Sequence, residues 1–146
     1  MQVEQIMTRH PATCRPHESL HQAARIMWER DCGFVPVVDD VGHVVGVVTD
    51  RDACMGAYTQ GRALGEIPVT TAMSKSVHFC HPEEEIGRAL DVMRHEGVRR
   101  LVVIDNRERL VGVLSLGDAV LGGAATVEIA NALHAVCECS RRRAAA

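Results

Sequence analysis

Apolar positions along the chain fall into two rhythms, and each rhythm occurs twice. Leu20, Ala23, Ala24 and Met27 recur at helical spacing, and so do Ile86, Ala89, Leu90 and Met93. Each set is followed by an unbroken apolar run, Phe34-Val35-Pro36-Val37-Val38 and Leu101-Val102-Val103-Ile104, which reads as a buried strand. Turn residues come next, Asp39-Asp40-Val41-Gly42 and Asp105-Asn106-Arg107-Glu108. Second apolar runs at 44–48 and 110–114 complete a predicted hairpin in each case. Residues 13–15 and 79–81 read as short extended segments ahead of Pro16 and Pro82. Ser19 and Glu83 to Glu85 read as helix starts, and Thr49 and Ser115 stand where a strand gives way to a helix. The order per unit is strand, helix, strand, strand, helix.

The two units are copies. Displacing the sequence by 66 residues pairs Met7 with Met73, Cys14 with Cys80, Pro16 with Pro82 and Glu18 with Glu84. Val45-Gly46-Val47 then meets Val111-Gly112-Val113, and Asp52 meets Asp118. Positions 7–52 hold 12 identities without a gap, where unrelated segments would share about three. A tandem duplication of the α+β class follows. The expected division is 1–60, 61–125 and a tail at 126–146. A Gly/Pro linker at 56–68 (Gly56, Gly61, Gly65, Pro68) joins the copies. The tail predicts a helix from Ala124 to Cys139 with Val127, Ala130, Leu133 and Val136 on one face, and frayed residues from Arg141 onward.

Composition narrows the classes. The chain has 146 residues, with 16 basic and 19 acidic side chains, a net charge of −3. It therefore lacks the basic surplus of a protein that binds nucleic acid by bulk charge. Aromatics are limited to Trp28, Phe34, Tyr58 and Phe79, so the core must be aliphatic. No apolar stretch is long enough for a membrane span, and the N-terminus lacks a basic-then-apolar leader pattern. The expectation is a cytoplasmic chain whose six cysteines are reduced.

The chemistry concentrates at Gly46-Val47-Val48-Thr49-Asp50-Arg51-Asp52 and its copy Gly112-Val113-Leu114-Ser115-Leu116-Gly117-Asp118. A hydroxyl at a helix N-terminus, beside free N–H groups and the positive end of the dipole, suits a phosphate. A carboxylate three residues on lies one turn away and can accept ribose hydroxyls. Thr49 and Ser115 are thus candidate donors, and Asp52 and Asp118 candidate acceptors. The same residues also serve as plain helix caps.

With Val35-Pro36-Val37-Val38-Asp39 upstream, the pattern resembles the CBS domain family, named after cystathionine beta-synthase, over about residues 3–122. The tandem pair resembles the Bateman module of small stand-alone bacterial proteins. The resemblance implies two β-α-β-β-α repeats packed with pseudo-twofold symmetry. It also implies an adenosyl nucleotide (AMP, ADP, ATP, NAD or S-adenosylmethionine) held in clefts between the domains. That ligand is a regulatory one that shifts conformational populations, with no tightly bound cofactor. By position, the adenine slot comprises Thr13, Cys14, Phe34, Val35 and Pro36 in the first copy. In the second it comprises Phe79, Cys80, Arg100, Leu101 and Val102. Arg51, Arg99 and Arg100 could meet phosphates. The resemblance further implies a homodimer and an unknown downstream protein. Helical faces around Met27 and Met93, or the tail helix, would supply the dimer contacts.

The copies differ where Val102 replaces Pro36, Ser115 replaces Thr49, and Leu116-Gly117 replaces Asp50-Arg51, so unequal sites are expected. The alternative is a dimerisation scaffold or a thiol- or metal-responsive protein using His134, Cys137 and Cys139, with Cys14 and Cys80 as small buried hydrophobes. No Walker loop or nucleophile elbow is present, and an enzyme is not expected.

Overall fold

The computed structural model describes all of residues 1–146. Two compact units form, and their borders are not those of the repeats. One holds residues 11–77 and 108–110, and is called the first-repeat unit below. The other, the second-repeat unit, holds 1–10, 78–107 and 111–146.

In the first-repeat unit, helix α1 (Leu20–Glu29) precedes the hairpin of β2 (Phe34–Val38) and β3 (Val44–Thr49), and α2 (Asp50–Gln60) follows. Phe34 lies opposite Thr49 and Val35 opposite Val48, with an irregularity between Val37 and Val38. Cys14 bridges Val37 in parallel sense on the outer side of β2, and Ser74 bridges Val47 on the outer side of β3. The periodic face of α1 behaves as its spacing dictates. Leu20, Ala23, Ile26 and Met27 are buried in one cluster with Cys14, Val35, Val37, Val48, Ile67 and Val69.

The second-repeat unit follows the same plan, with two-residue strands where the first has the single bridges of Cys14 and Ser74. Its sheet runs β1 (Thr8–Arg9), β6 (Leu110–Ser115), β5 (Arg100–Ile104), β4 (Phe79–Cys80). β4 is parallel to β5, with Phe79 opposite Val102, and β1 is antiparallel to β6, with Thr8 opposite Val113. Helices α3 (Ile86–Glu96), α4 (Leu116–Leu121) and α5 (Thr126–Ala145) complete it. The predicted hairpin strands, strand-to-helix corners and mixed α+β class are all present in both copies. The extended segment at 13–15 is reduced to the single Cys14 bridge.

Four expectations change. Residues 1–10 do not join the first repeat. The backbone N–H groups of Val3 and Glu4 donate to Glu84 and Pro82 oxygens, and Val3 and Met7 enter the second-repeat core. Nor is 56–68 an open linker, because α2 continues to Gln60 and stops at Gly61, in the left-handed conformation (φ 60°) that glycine adopts without steric cost. Gly56 is a packing residue, since a Cβ there would come within 2.9 Å of Leu20 Cδ1. The tail helix reaches Ala145, because nothing after Gly123 interrupts it and its last turns are rich in Ala and Arg. Its buried face is Ala132 and Val136 with Ile129 packed alongside, whereas Val127 and Leu133 face solvent. The inner stripe is chosen by fit against α3. Gly97, at the C-terminal end of that helix, admits Cys139 so closely that a Cβ there would lie 2.8 Å from the Cys139 Cβ, while Gly87, near the other end, lies against the flexible carboxylate of Glu128. Met27 and Met93 are core residues, 8% and 0% exposed.

Candidate functional site

Each strand-to-helix corner is built by the same four-residue device. β3 ends extended at Thr49 (φ −108°, ψ 165°), and the chain turns directly into α2. The Thr49 N–H donates to Asp52 Oδ2 (2.8 Å), and the Asp52 N–H donates to Thr49 Oγ1 (3.2 Å). Two helix-start donors are satisfied reciprocally, with Asp taking the part usually played by Glu. At the other corner the Ser115 N–H donates to Asp118 Oδ2 (2.8 Å) and the Asp118 N–H to Ser115 Oγ (3.1 Å). Ser115 adds a bond from its own hydroxyl to Asp118 Oδ2 (2.7 Å). The capping function of these residues is therefore real at both corners. In each box the aspartate uses Oδ2 and leaves Oδ1 outside it.

Register places the remaining candidates. Phe34, half-buried, is the cross-strand neighbour of Thr49. The Cys14 N–H donates to the Pro36 carbonyl (3.0 Å) and the Val38 N–H to the Cys14 carbonyl (2.9 Å), which fixes Thr13 beside β2. Thr13, Phe34, Thr49 and Asp52 keep partly open side chains, and Arg51 is exposed. Cys14, Val35 and Pro36 are core, so any contact they make with a ligand is through backbone. In the second copy Phe79 is 52% exposed beside Val102, while Cys80, Leu101 and Val102 are core. Arg100, Ser115 and Asp118 are half-buried and Arg99 is exposed.

Cys14 and Cys80 are unsuited to thiol chemistry. Burial, with Glu18 nearby, pushes the Cys14 thiol up to about 11; burial, with Glu84 nearby, pushes Cys80 up to about 12. Both stay protonated at neutral pH, and the thiolate is the reactive form. The tail residues are not gathered for a metal. His134 Nδ1 lies 3.8 Å from Glu138, Cys139 accepts from Arg143 Nη2 (3.2 Å) beneath Gly97, and Cys137 is exposed. No group of three or more His, Cys, Asp or Glu is placed to hold a metal ion.

Two close approaches escaped the sequence reading. A Cβ on Gly46 would lie 2.5 Å from Met73 Sδ, and one on Gly112 2.6 Å from Met7 Sδ. The repeat shows both Met and both Gly, but a linear offset does not say which methionine covers which glycine.

Tandem β-α-β-β-α units, each turning from strand to helix on a hydroxyl–carboxylate box, define a duplicated α+β module. The chain belongs to the CBS domain family, whose profile matches residues 3–55 and again 64–121. It is 32% identical over 131 residues to the CBS domain-containing protein YhcV of Bacillus subtilis, covering 90% of this chain and 91% of that one. It shares its fold with the conserved CBS domain protein TA0289 of Thermoplasma acidophilum (TM-score 0.80, 24% identity, covering 92% of this chain and 75% of that one). It is also similar to the CBS domain pair of protein MJ0100, solved in complex with 5′-methylthioadenosine and S-adenosyl-L-methionine. That match has a TM-score of 0.73 and 25% identity, over 84% of this chain and 97% of the other. No helix is long and apolar enough to cross a membrane.

Proposed function

We propose that the chain is a regulatory module that binds an adenosyl ligand at the Thr49–Asp52 corner. The observation that carries this reading is the capping box itself. It holds Asp52 rigidly in the first turn of an eleven-residue helix while leaving Oδ1 outside the box. Ribose hydroxyls donate to that oxygen. The N-terminal N–H groups of α2 and the exposed Arg51 receive a phosphate or another anionic group. The base lies against the partly open Thr13 and Phe34. AMP, ADP, ATP, NAD and S-adenosylmethionine share the adenosine half that this corner addresses. The ligands bound to MJ0100 belong to the same chemical class. Binding favours one arrangement of the module, which a downstream protein reads.

The Ser115–Asp118 corner is the weaker of the two on this reading. Its helix has six residues, its hydroxyl proton is already given to Asp118, and Gly117 stands in place of Arg51.

Calorimetric titration with the five adenosyl ligands, and GMP as control, tests the assignment. Asp52→Asn keeps an oxygen for the cap but turns an N–H toward the ribose. It should weaken adenosyl binding about tenfold or more, the scale of a lost hydrogen bond to a charged group, with an unchanged melting temperature. Asp118→Asn should cost less. Wild-type affinity in Asp52→Asn, or no heat from any of the five ligands, would refute the reading.

A further inference from the structure

The donors that open α2 are already held from within the chain. The Asp50 N–H donates to the Gly33 carbonyl (3.4 Å), the Asp52 N–H to Thr49 Oγ1 (3.2 Å) and the Arg51 N–H to Asp50 Oδ1 (2.9 Å). The first acceptor is backbone and the second belongs to the capping box. The third is the end of an exposed side chain. Asp50 thus lays a carboxylate on a helix-start donor that a ligand's anionic group would otherwise take. Its other oxygen reaches over Gly33, coming 3.0 Å from where a Cβ there would stand, and Gly33 is the chain neighbour of Phe34.

The corner does not need this acid in order to form. The 66-residue offset puts Leu116 at the place of Asp50 and Gly117 at that of Arg51. The second corner still closes its box, and the Leu116 N–H still donates to the Arg99 carbonyl (3.0 Å), as Asp50 does to Gly33. Leu116 brings no acceptor to the Gly117 N–H. The matching places beside that corner are basic, with Arg99 and Arg100 for Gly33 and Phe34. The first corner instead sets one acid and one base side by side, Asp50 and Arg51, both exposed.

Resting on the adenosyl reading above, we infer that Asp50 sets the class of tail the first corner accepts: one that carries positive charge, as in S-adenosylmethionine, over a chain of phosphates. An anionic group reaches the Arg51 N–H by displacing the Asp50 carboxylate. A phosphate chain leaves that carboxylate facing further negative charge. The tail of S-adenosylmethionine brings a sulfonium and an ammonium, so the displaced carboxylate gains a cation while the tail's own carboxylate meets Arg51. Selection comes from repelling the phosphates as much as from attracting the cation.

Calorimetric titration of the full chain with S-adenosylmethionine and ATP tests the assignment. Wild type should bind S-adenosylmethionine more tightly than ATP. Asp50→Asn keeps an oxygen for the Arg51 N–H and removes the charge. It should weaken S-adenosylmethionine and tighten ATP, shifting the ratio of their dissociation constants about tenfold or more, the scale of one charge removed at close range in a solvated site. Asp50→Glu returns the charge and should return the wild-type order. Asp50 is exposed, so circular dichroism melts of both variants should stay close to wild type. A wild-type preference for ATP, or an unchanged ratio in Asp50→Asn, overturns this inference and leaves the adenosyl reading standing. A wild-type chain that binds none of the five adenosyl ligands overturns that reading, and this inference with it.

Discussion

Cys14 and Cys80 occupy the same place in the two repeats and meet the same fate. Both thiols are buried beside a glutamate four residues on, and both are held protonated well above the ordinary 9.0 of a cysteine. An unfolded chain loses these protons first. The burial of neutral thiols therefore contributes fully below pH 9 and is lost as pH rises through about 11 for Cys14 and about 12 for Cys80. Thermal melts across this window should show stability falling, and Cys14→Ala should flatten part of the decline. Mass-mapped alkylation at neutral pH should label the exposed Cys32, Cys54 and Cys137 and spare Cys14 and Cys80 until the chain unfolds. Prompt labelling of either buried thiol would contradict this account.

At the scale of elements, the strand-to-helix corners decide where chemistry can happen. A strand must end extended, and its last residue must satisfy the first N–H groups of the helix that follows. Thr49 and Asp52 do both, as do Ser115 and Asp118. These boxes were legible because a hydroxyl and a carboxylate three residues apart have one common local geometry. The sheet edge behind the first corner depends on a contact the sequence does not announce. Met73 lies on Gly46, and the Ser74 N–H and carbonyl pair with Val47. Gly46→Ala should cost about 1–3 kcal/mol in denaturant unfolding, the usual range for overpacking, because the backbone oxygen of Ser74, 3.0 Å from the added Cβ, cannot step aside. A cost near zero would mean that Met73 moves freely.

At the scale of the whole molecule, duplication has been followed by reassignment of segments. Residues 1–10 form the edge strand and part of the core of the unit built on the second repeat, and residues 66–77 supply the matching edge and core positions for the first. Met7→Ala should therefore remove about 2–5 kcal/mol from the unit that contains α3 and β5. Hydrogen exchange should lose protection there more than in α1 and β2. Equal loss in the first-repeat unit would contradict this partition.

The helix faces of α1 and α3, the hairpin strands, the two corners and the duplication itself were written in the linear pattern. Burial of a helix stripe or a strand leaves a periodic trace in its own residues, and a cap is made by neighbours three positions apart. What covers each unit was decided only in three dimensions. Two copies with the same pattern present equally suitable grooves and edges, so the sequence cannot say whether Met7 or Met73 fills the notch at Gly46. Nor does apolar spacing in α5 choose between its two stripes. The inner one was selected by the shape of α3, where Gly97 lets Cys139 approach, and that fit is a property of packed surfaces rather than of either segment alone.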